Sequence, residues 1–261
     1  MIRWDRLDED RENLATAFAN AEPFRMVIID DFVEPSRLQD LIAEFPDPGD
    51  ARINKSRDAV FARNKFEKSG FQDLGPACKE LYDDFCSPKF AALLQAVSGD
   101  EEMFVDQAFH GGGLHQGGAD SFLDMHVDFN LHPLHHDWRR NLNILLYLNE
   151  GWEPAWRGQL KLRNRVTDAS TEVEPRLNRC VIMETRDFTM HGYDPINFPP
   201  GRYRRSIACY AYTPAVEGGE YRATVWYPDS GSAAKRMLGR YWPKIVRVKN
   251  RLFGSATAKN R

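Results

Sequence analysis

Two different spacings of apolar residues divide this chain. Up to about residue 100 they recur at helical intervals, and from about Glu102 to Tyr212 they fall in short runs broken by Gly, Pro and Asn. Leu7, Leu14 and Phe18 sit at helical spacing in a charged segment and predict an amphipathic helix. Met26–Ile29 reads as a short strand. Pro35 then opens a helix whose Leu38, Leu41, Ile42 and Phe45 follow the i, i+3, i+4, i+7 pattern, and Pro46 stops it. Residues 51–69 are polar and basic without a period and read as a lid-like loop, with Asn64, Lys65 and Phe66 inside it. A helical pair follows, carrying Leu74, Ala77, Leu81 and Phe85, then Phe90, Leu93, Leu94 and Val97. Ser87 and Pro88 start the second helix and Gly99 ends it.

The later runs predict many short strands, the signature of an antiparallel sandwich or jelly roll. Helices placed mostly before the sheet make the fold class α+β: a jelly-roll core, or double-stranded β-helix, with supporting N-terminal helices. The expected division is a helical support with one strand over 1–100, a catalytic core over 101–215, and a basic C-terminal extension over 216–261.

Candidate chemistry concentrates in the strands. Side chains alternate along a strand, so His126 and Asp128 share a face and can grip one ion, and His191 offers a second imidazole. Two histidines and one carboxylate describe the facial triad of non-haem Fe(II) oxygenases. A strand over 143–149 puts Asn143, Leu145 and Tyr147 on one face, and a strand from 204 aligns Arg204 with Ser206. A planar guanidinium beside a hydroxyl suits bidentate capture of a carboxylate, with Tyr147 in reach; Arg202 and Arg205 are rival anchors. His132, His135 and His136 lie around Pro133 in a predicted loop and are expected at the mouth of the site rather than on the metal. His110 and His115 flank Gly111–Gly113, which reads as a turn or gating loop.

These residues resemble the Fe(II)- and 2-oxoglutarate-dependent dioxygenases of the prolyl-4-hydroxylase-like group. The matching pieces run, in order, from Phe122 through His126, Asp128 and Asn130, from Arg139 through Tyr147 to Asn149, across Gly158–Leu162, over Met190-His191-Gly192, and from Arg204 through Ser206 to Tyr210. The family often carries Gly-Gly where this chain has Gly158-Gln159. The resemblance implies that His126, Asp128 and His191 are the catalytic iron ligands, and that Arg204, Ser206 and Tyr147 bind the distal carboxylate of 2-oxoglutarate. It implies Fe(II), 2-oxoglutarate and O2 as cofactors, with ascorbate as a candidate reductant, and hydroxylation of a C–H bond with release of succinate and CO2. The competing class is a cupin-like metal enzyme that does not use 2-oxoglutarate. Asn143, Leu145, Phe129, Asn130 and Trp138 are the expected substrate contacts, for a small-molecule or peptide substrate.

Composition narrows this picture only slightly. The 261 residues are 42% apolar, enough for a sizeable core, and carry a net charge of −3 that gives no general pull toward nucleic acid. Cys78, Cys86, Cys180 and Cys209 lack metal-binding spacing, and no stretch is apolar enough to span a membrane, so a cytoplasmic location is expected. Charge is uneven, however. From Gly231 onward there are nine basic residues (Lys235, Arg236, Arg240, Lys244, Arg247, Lys249, Arg251, Lys259, Arg261) and no acidic one, leaving −12 on the rest. Interleaved Leu238, Tyr241, Trp242, Ile245, Val246, Leu252 and Phe253 make this tail an amphipathic element for an acidic surface, or a tail packed on its own acidic body.

Overall fold

A computed structural model describes residues 1–55, 59–216 and 218–253, with side chains to residue 248. Lys259 and Arg261 lie outside the described residues, as do the side chains of Lys249, Arg251, Leu252 and Phe253. In chain order the elements are α1 (Trp4–Glu9), α2 (Arg11–Asn20), β1 (Met26–Ile29), α3 (Pro35–Ala43), β2 (Asn54–Lys55), β3 (Ala62–Lys68), α4 (Pro76–Phe85), α5 (Pro88–Ser98) and β4 (Phe104–Val105). They continue with β5 (Gly113–Val127), β6 (Trp138–Tyr147), β7 (Leu160–Asn164), β8 (Ser170–Val173), β9 (Arg179–Glu184), β10 (Thr189–Tyr193), β11 (Arg204–Pro214), β12 (Val225–Trp226) and α6 (Ala233–Phe253).

The strands form a curled antiparallel sheet in the order β1-β9-β6-β11-β5-β10-β7-β8. β5 is the hinge of this roll. Its first half, Gly113–Gly117, pairs with β11, whereas its second half pairs with β10 at Leu123 and His126. Between the halves Asp120 has φ 54°, a conformation that breaks the ladder and turns the strand from one wall into the other. The jelly-roll core is therefore present, and His126 lies in the second half of β5, on the wall that pairs with β10.

The N-terminal helices cover the outside of one wall. Leu7, Phe18, Leu41, Leu81, Phe85, Phe90 and Leu94 pack with Leu142, Ile144, Ile207 and Cys209 of β6 and β11 in one buried cluster. The predicted start of α5 holds: Ser87 Oγ accepts from Phe90 N at 3.1 Å, and Gly99 closes the helix with φ 75°. Residues 51–69 differ from the loop expected of them. β3 pairs with β5, so this polar segment is a strand of the roll. Charged residues on both of its faces hid a strand period: Arg63 is exposed, Lys65, Glu67 and Lys68 are half-buried, and only Phe66 is fully buried.

Candidate active site

His191 stands directly opposite His126 in the β10–β5 ladder, and the two imidazoles are 4.1 Å apart between ring centres. Gly192 permits this approach. A Cβ there would lie 2.6 Å from the Leu123 carbonyl oxygen and 2.9 Å from Met125 N, inside the backbone that carries His126. Asp128 follows the last residue of β5; its Oδ1 is 3.5 Å from His126 Nε2 and its Oδ2 3.6 Å from His191 Nε2. One ligand atom from each of the three lies within 4.8 Å of the others, and among the described residues this is the one group of three or more His, Cys, Asp or Glu so arranged. His126 Nδ1 is 3.0 Å from the Asp124 carbonyl oxygen, which favours a proton on Nδ1 and leaves Nε2 free to ligate.

The electrostatics suit a cation. Burial, reinforced by neighbouring His126, pushes His191 down to about 3, so its ring is neutral. Burial alone would raise Asp128, but the Arg140 charge, with the two histidines, holds it well below the usual carboxylate range. Arg140 is 2% exposed and its Nη2 lies 3.1 Å from Asp128 Oδ2. Asn143 Nδ2 donates to the same oxygen at 2.8 Å, and its Oδ1 accepts from Arg140 Nε and Nη2 at 3.0 and 2.6 Å. The guanidinium is clamped over Tyr210, 3.6 Å from the ring centre, with Phe129 at 4.4 Å. Two nitrogen donors and an ionised, oriented carboxylate are a donor set that fits Fe(II).

A second charged group lines the same cavity. Arg204 is 7% exposed; its Nε donates to the Gly158 carbonyl at 2.7 Å and its Nη2 to the Tyr147 hydroxyl at 3.3 Å. The guanidinium lies 4.1 Å from the centre of the Tyr193 ring, and no acidic side chain pairs with it among the described residues. A buried cation without a counter-ion is unfavourable, so the surroundings are suited to an anion. Ser206 pairs with Tyr147 across β11–β6, and both line the cavity with Leu145. The rival arginines point elsewhere: Arg202 donates to the Glu150 carbonyl, and Arg205 to Gln116 Oε1.

Several expected contacts have other partners. The Asn143 amide is committed to Asp128, although the residue does line the cavity. Phe129 packs on Arg140, Asn130 binds the backbone of Glu220 and Arg222, and Trp138 stacks on His135 at 4.2 Å; none of these three lines the cavity. His132 Nδ1 accepts from the backbone of Leu134 and His135, and His136 stacks on Tyr221, so this trio ties down a loop instead of lining the cavity. His115 belongs to β5 and lines the cavity, where burial, with Lys65 and Arg204, pushes it down to about 3. Lys65 of β3 is there too.

Trp226 is the contact the sequence reading lacked. It pairs with His126 in the β12–β5 ladder and packs on the imidazole at 4.8 Å, with Phe61 stacked on the indole at 5.1 Å. A two-residue strand has no period to detect.

Residues 112–212 match the family profile of the 2OG-Fe(II) oxygenase superfamily. The match covers the segment that carries His126, Asp128, His191 and Arg204. Likeness of fold to solved structures extends over most of the chain. A Pseudomonas putida prolyl-4-hydroxylase is similar at a TM-score of 0.52 and 19% identity, covering 77% of this chain and 99% of that one. A prolyl 4-hydroxylase from Phytophthora capsici aligns at 0.56 and 18%, covering 82% and 66%. A Trichoplax adhaerens prolyl hydroxylase, solved with a peptide of hypoxia inducible factor, aligns at 0.53 and 15%, covering 82% and 94%. No curated protein matches the chain. The family match implies Fe(II), 2-oxoglutarate and O2 as cofactors, the His126-Asp128-His191 group is arranged to hold a metal ion, and the cupin-like alternative is not favoured. No helix among the described residues is long and apolar enough to cross a membrane.

Proposed function

We propose that this oxygenase hydroxylates a C–H bond, with His126, Asp128 and His191 holding Fe(II) and with Arg204, Tyr147 and Ser206 holding the distal carboxylate of 2-oxoglutarate. The observation that carries the reading is the buried Arg204, with no acidic partner among the described residues, in the same cavity as the triad. Bound Fe(II) supplies the oxidising chemistry: 2-oxoglutarate and O2 give succinate, CO2 and one oxygen atom for the substrate C–H bond. The protein's share is position and field.

Arg204 fixes one end of the keto acid through a charge-assisted pair, and the Tyr147 hydroxyl adds a second donor. Leu145 and Leu160 give the cavity apolar wall between polar groups. Asn143 and Arg140 hold the Asp128 carboxylate by one oxygen and fix its orientation. A carboxylate at position 128 also fills a place that a halide would need, which supports hydroxylation. The structural neighbours support a peptide or small-molecule acceptor presented at this cavity, since one of them was solved with a peptide bound.

The test is anaerobic titration with Fe(II) and then 2-oxoglutarate, following the visible charge-transfer band of a keto acid on iron. Wild type should form the band, Arg204→Ala should bind Fe(II) yet need far more 2-oxoglutarate, and His191→Ala should bind little metal. Metal binding without any band in wild type would refute the 2-oxoglutarate assignment.

A further inference from the structure

α6 carries two parallel rows on its outward side. Met237, Tyr241, Ile245 and Val248 follow one another at i, i+4, i+8 and i+11, and they are 61, 52, 42 and 58% exposed. Arg236, Arg240, Lys244 and Arg247 repeat the same spacing one residue earlier and are exposed as well. The opposite side holds the helix to the oxygenase. Lys235 Nζ pairs with Asp124 at 2.7 Å, Gly239 lies against the backbone of Trp226, and Trp242 meets Phe61 edge-on at 5.6 Å. The outward rows are therefore presented on a fixed base, next to the strand pair that carries His126.

An apolar row exposed along several helical turns is unfavourable in water, and a cationic row beside it specifies what would cover it. We propose that α6 docks the protein in the plane of an anionic lipid surface, with the apolar row in the headgroup boundary and the cationic row on lipid phosphates. Three observations favour lipid over other occupants. The helix is too polar to span a membrane, yet it is amphipathic along its length. It has no acidic residue, so two copies meeting about a twofold axis would oppose like charges. Finally, nine positive charges from Gly231 onward against −12 on the rest of the chain orient the molecule, basic helix toward an anionic plane and acidic body away from it.

Co-sedimentation of the full chain with vesicles tests this, using phosphatidylcholine alone and phosphatidylcholine mixed with phosphatidylserine. Wild type should pellet with the mixed vesicles and not with the neutral ones, and added salt should weaken the binding. Each neutralised cation should weaken it about fivefold, so Arg236→Gln/Arg240→Gln/Lys244→Gln together should lose on the order of 100-fold. Met237→Ser/Tyr241→Ser/Ile245→Ser should lose binding while keeping the wild-type melting temperature and Fe(II) uptake. Wild type that stays in the supernatant with mixed vesicles overturns the proposal. So does an apolar variant that binds as well as wild type, which would reduce the effect to unspecific charge. Self-association that the serine variant abolishes, without vesicle binding, would assign the face to a second copy instead.

Discussion

Replacing Arg140 by Met tests how the site stores its charge. The guanidinium and the Asp128 carboxylate are both buried, 2 and 7% exposed, and their closest atoms are 3.1 Å apart. Met keeps much of the volume stacked on Tyr210 but removes the charge. Breaking one side of a buried pair leaves an uncompensated ion and costs about 3–5 kcal/mol. Asn143 retains its 2.8 Å hydrogen bond to Asp128, which places the expectation at the lower end, about 3 kcal/mol. For a chain of this size that corresponds to a melting temperature lower by about 6–12 °C in metal-free protein. The shift should shrink when Fe(II) or Mn(II) is added, because a divalent cation at the triad replaces the lost positive charge. Metal should therefore stabilise Arg140→Met more than it stabilises wild type.

A double-mutant cycle makes the argument specific. In an Asp128→Asn background there is no carboxylate to strand, so Arg140→Met should cost less there, with a coupling of about 2 kcal/mol or more. Thermal melts of the four chelator-treated proteins measure this directly. Additive effects, or a metal-free Arg140→Met protein melting within about 2 °C of wild type, would refute the view that Arg140 exists to hold Asp128 ionised and oriented.

Three further outcomes follow from the same geometry. Arg204→Lys keeps a charge but loses the fork that reaches Gly158 and Tyr147, so 2-oxoglutarate affinity should fall about 10- to 100-fold in the anaerobic titration while Fe(II) affinity holds; unchanged affinity would remove Arg204 from the anchor role. Gly192→Ala forces a Cβ against the Leu123 carbonyl and should both destabilise by about 1–3 kcal/mol and weaken Fe(II) binding, and wild-type metal affinity in this variant would refute the close-approach argument. His191 and His115 are both pushed by burial to about 3, below the ordinary 6.5, so protons bind the unfolded chain first. Their contribution is fully present above about pH 6.5 and is lost as pH falls toward 3, by up to about 2 kcal/mol per histidine at pH 5. Urea midpoints of metal-free protein at pH 7 and pH 5 should show the fall, and His115→Gln should flatten part of it.

How much of this was legible depended on whether a residue's role showed in local spacing. His126 and Asp128 are two apart at the end of one strand, and Arg204 and Ser206 are two apart on another, so alternation alone put each pair on a shared face. The helices with an apolar stripe were legible for the same reason: α5 buries all four residues its period selected and α4 buries Ala77, Leu81 and Phe85, while α3 buries Leu38 and Leu41, leaves Ile42 half-buried and ends before Phe45. β3 was hidden because its side chains remain polar on both faces apart from Phe66: it joins the roll through its backbone ladder with β5, which side-chain pattern does not report.

Arg140 and Trp226 were hidden for a different reason. Arg140 sits among Arg139, Asn141 and Asn143 in a strand that reads as amphipathic, and nothing in its own spacing says that it faces inward. The partner that compensates its charge, Asp128, lies twelve residues away on the far side of a loop, so a buried arginine could be inferred only once the register brought the two together. Trp226 is a single aromatic in a polar stretch, and its place over His126 depends on β12 adding to the edge of β5. Both act on the ligands and not on the metal position itself. Ligand types are announced by chemistry and spacing, whereas the groups that orient them are chosen by tertiary packing. For that reason the candidate metal triad could be picked out from the chain, and the residues that orient it required the fold.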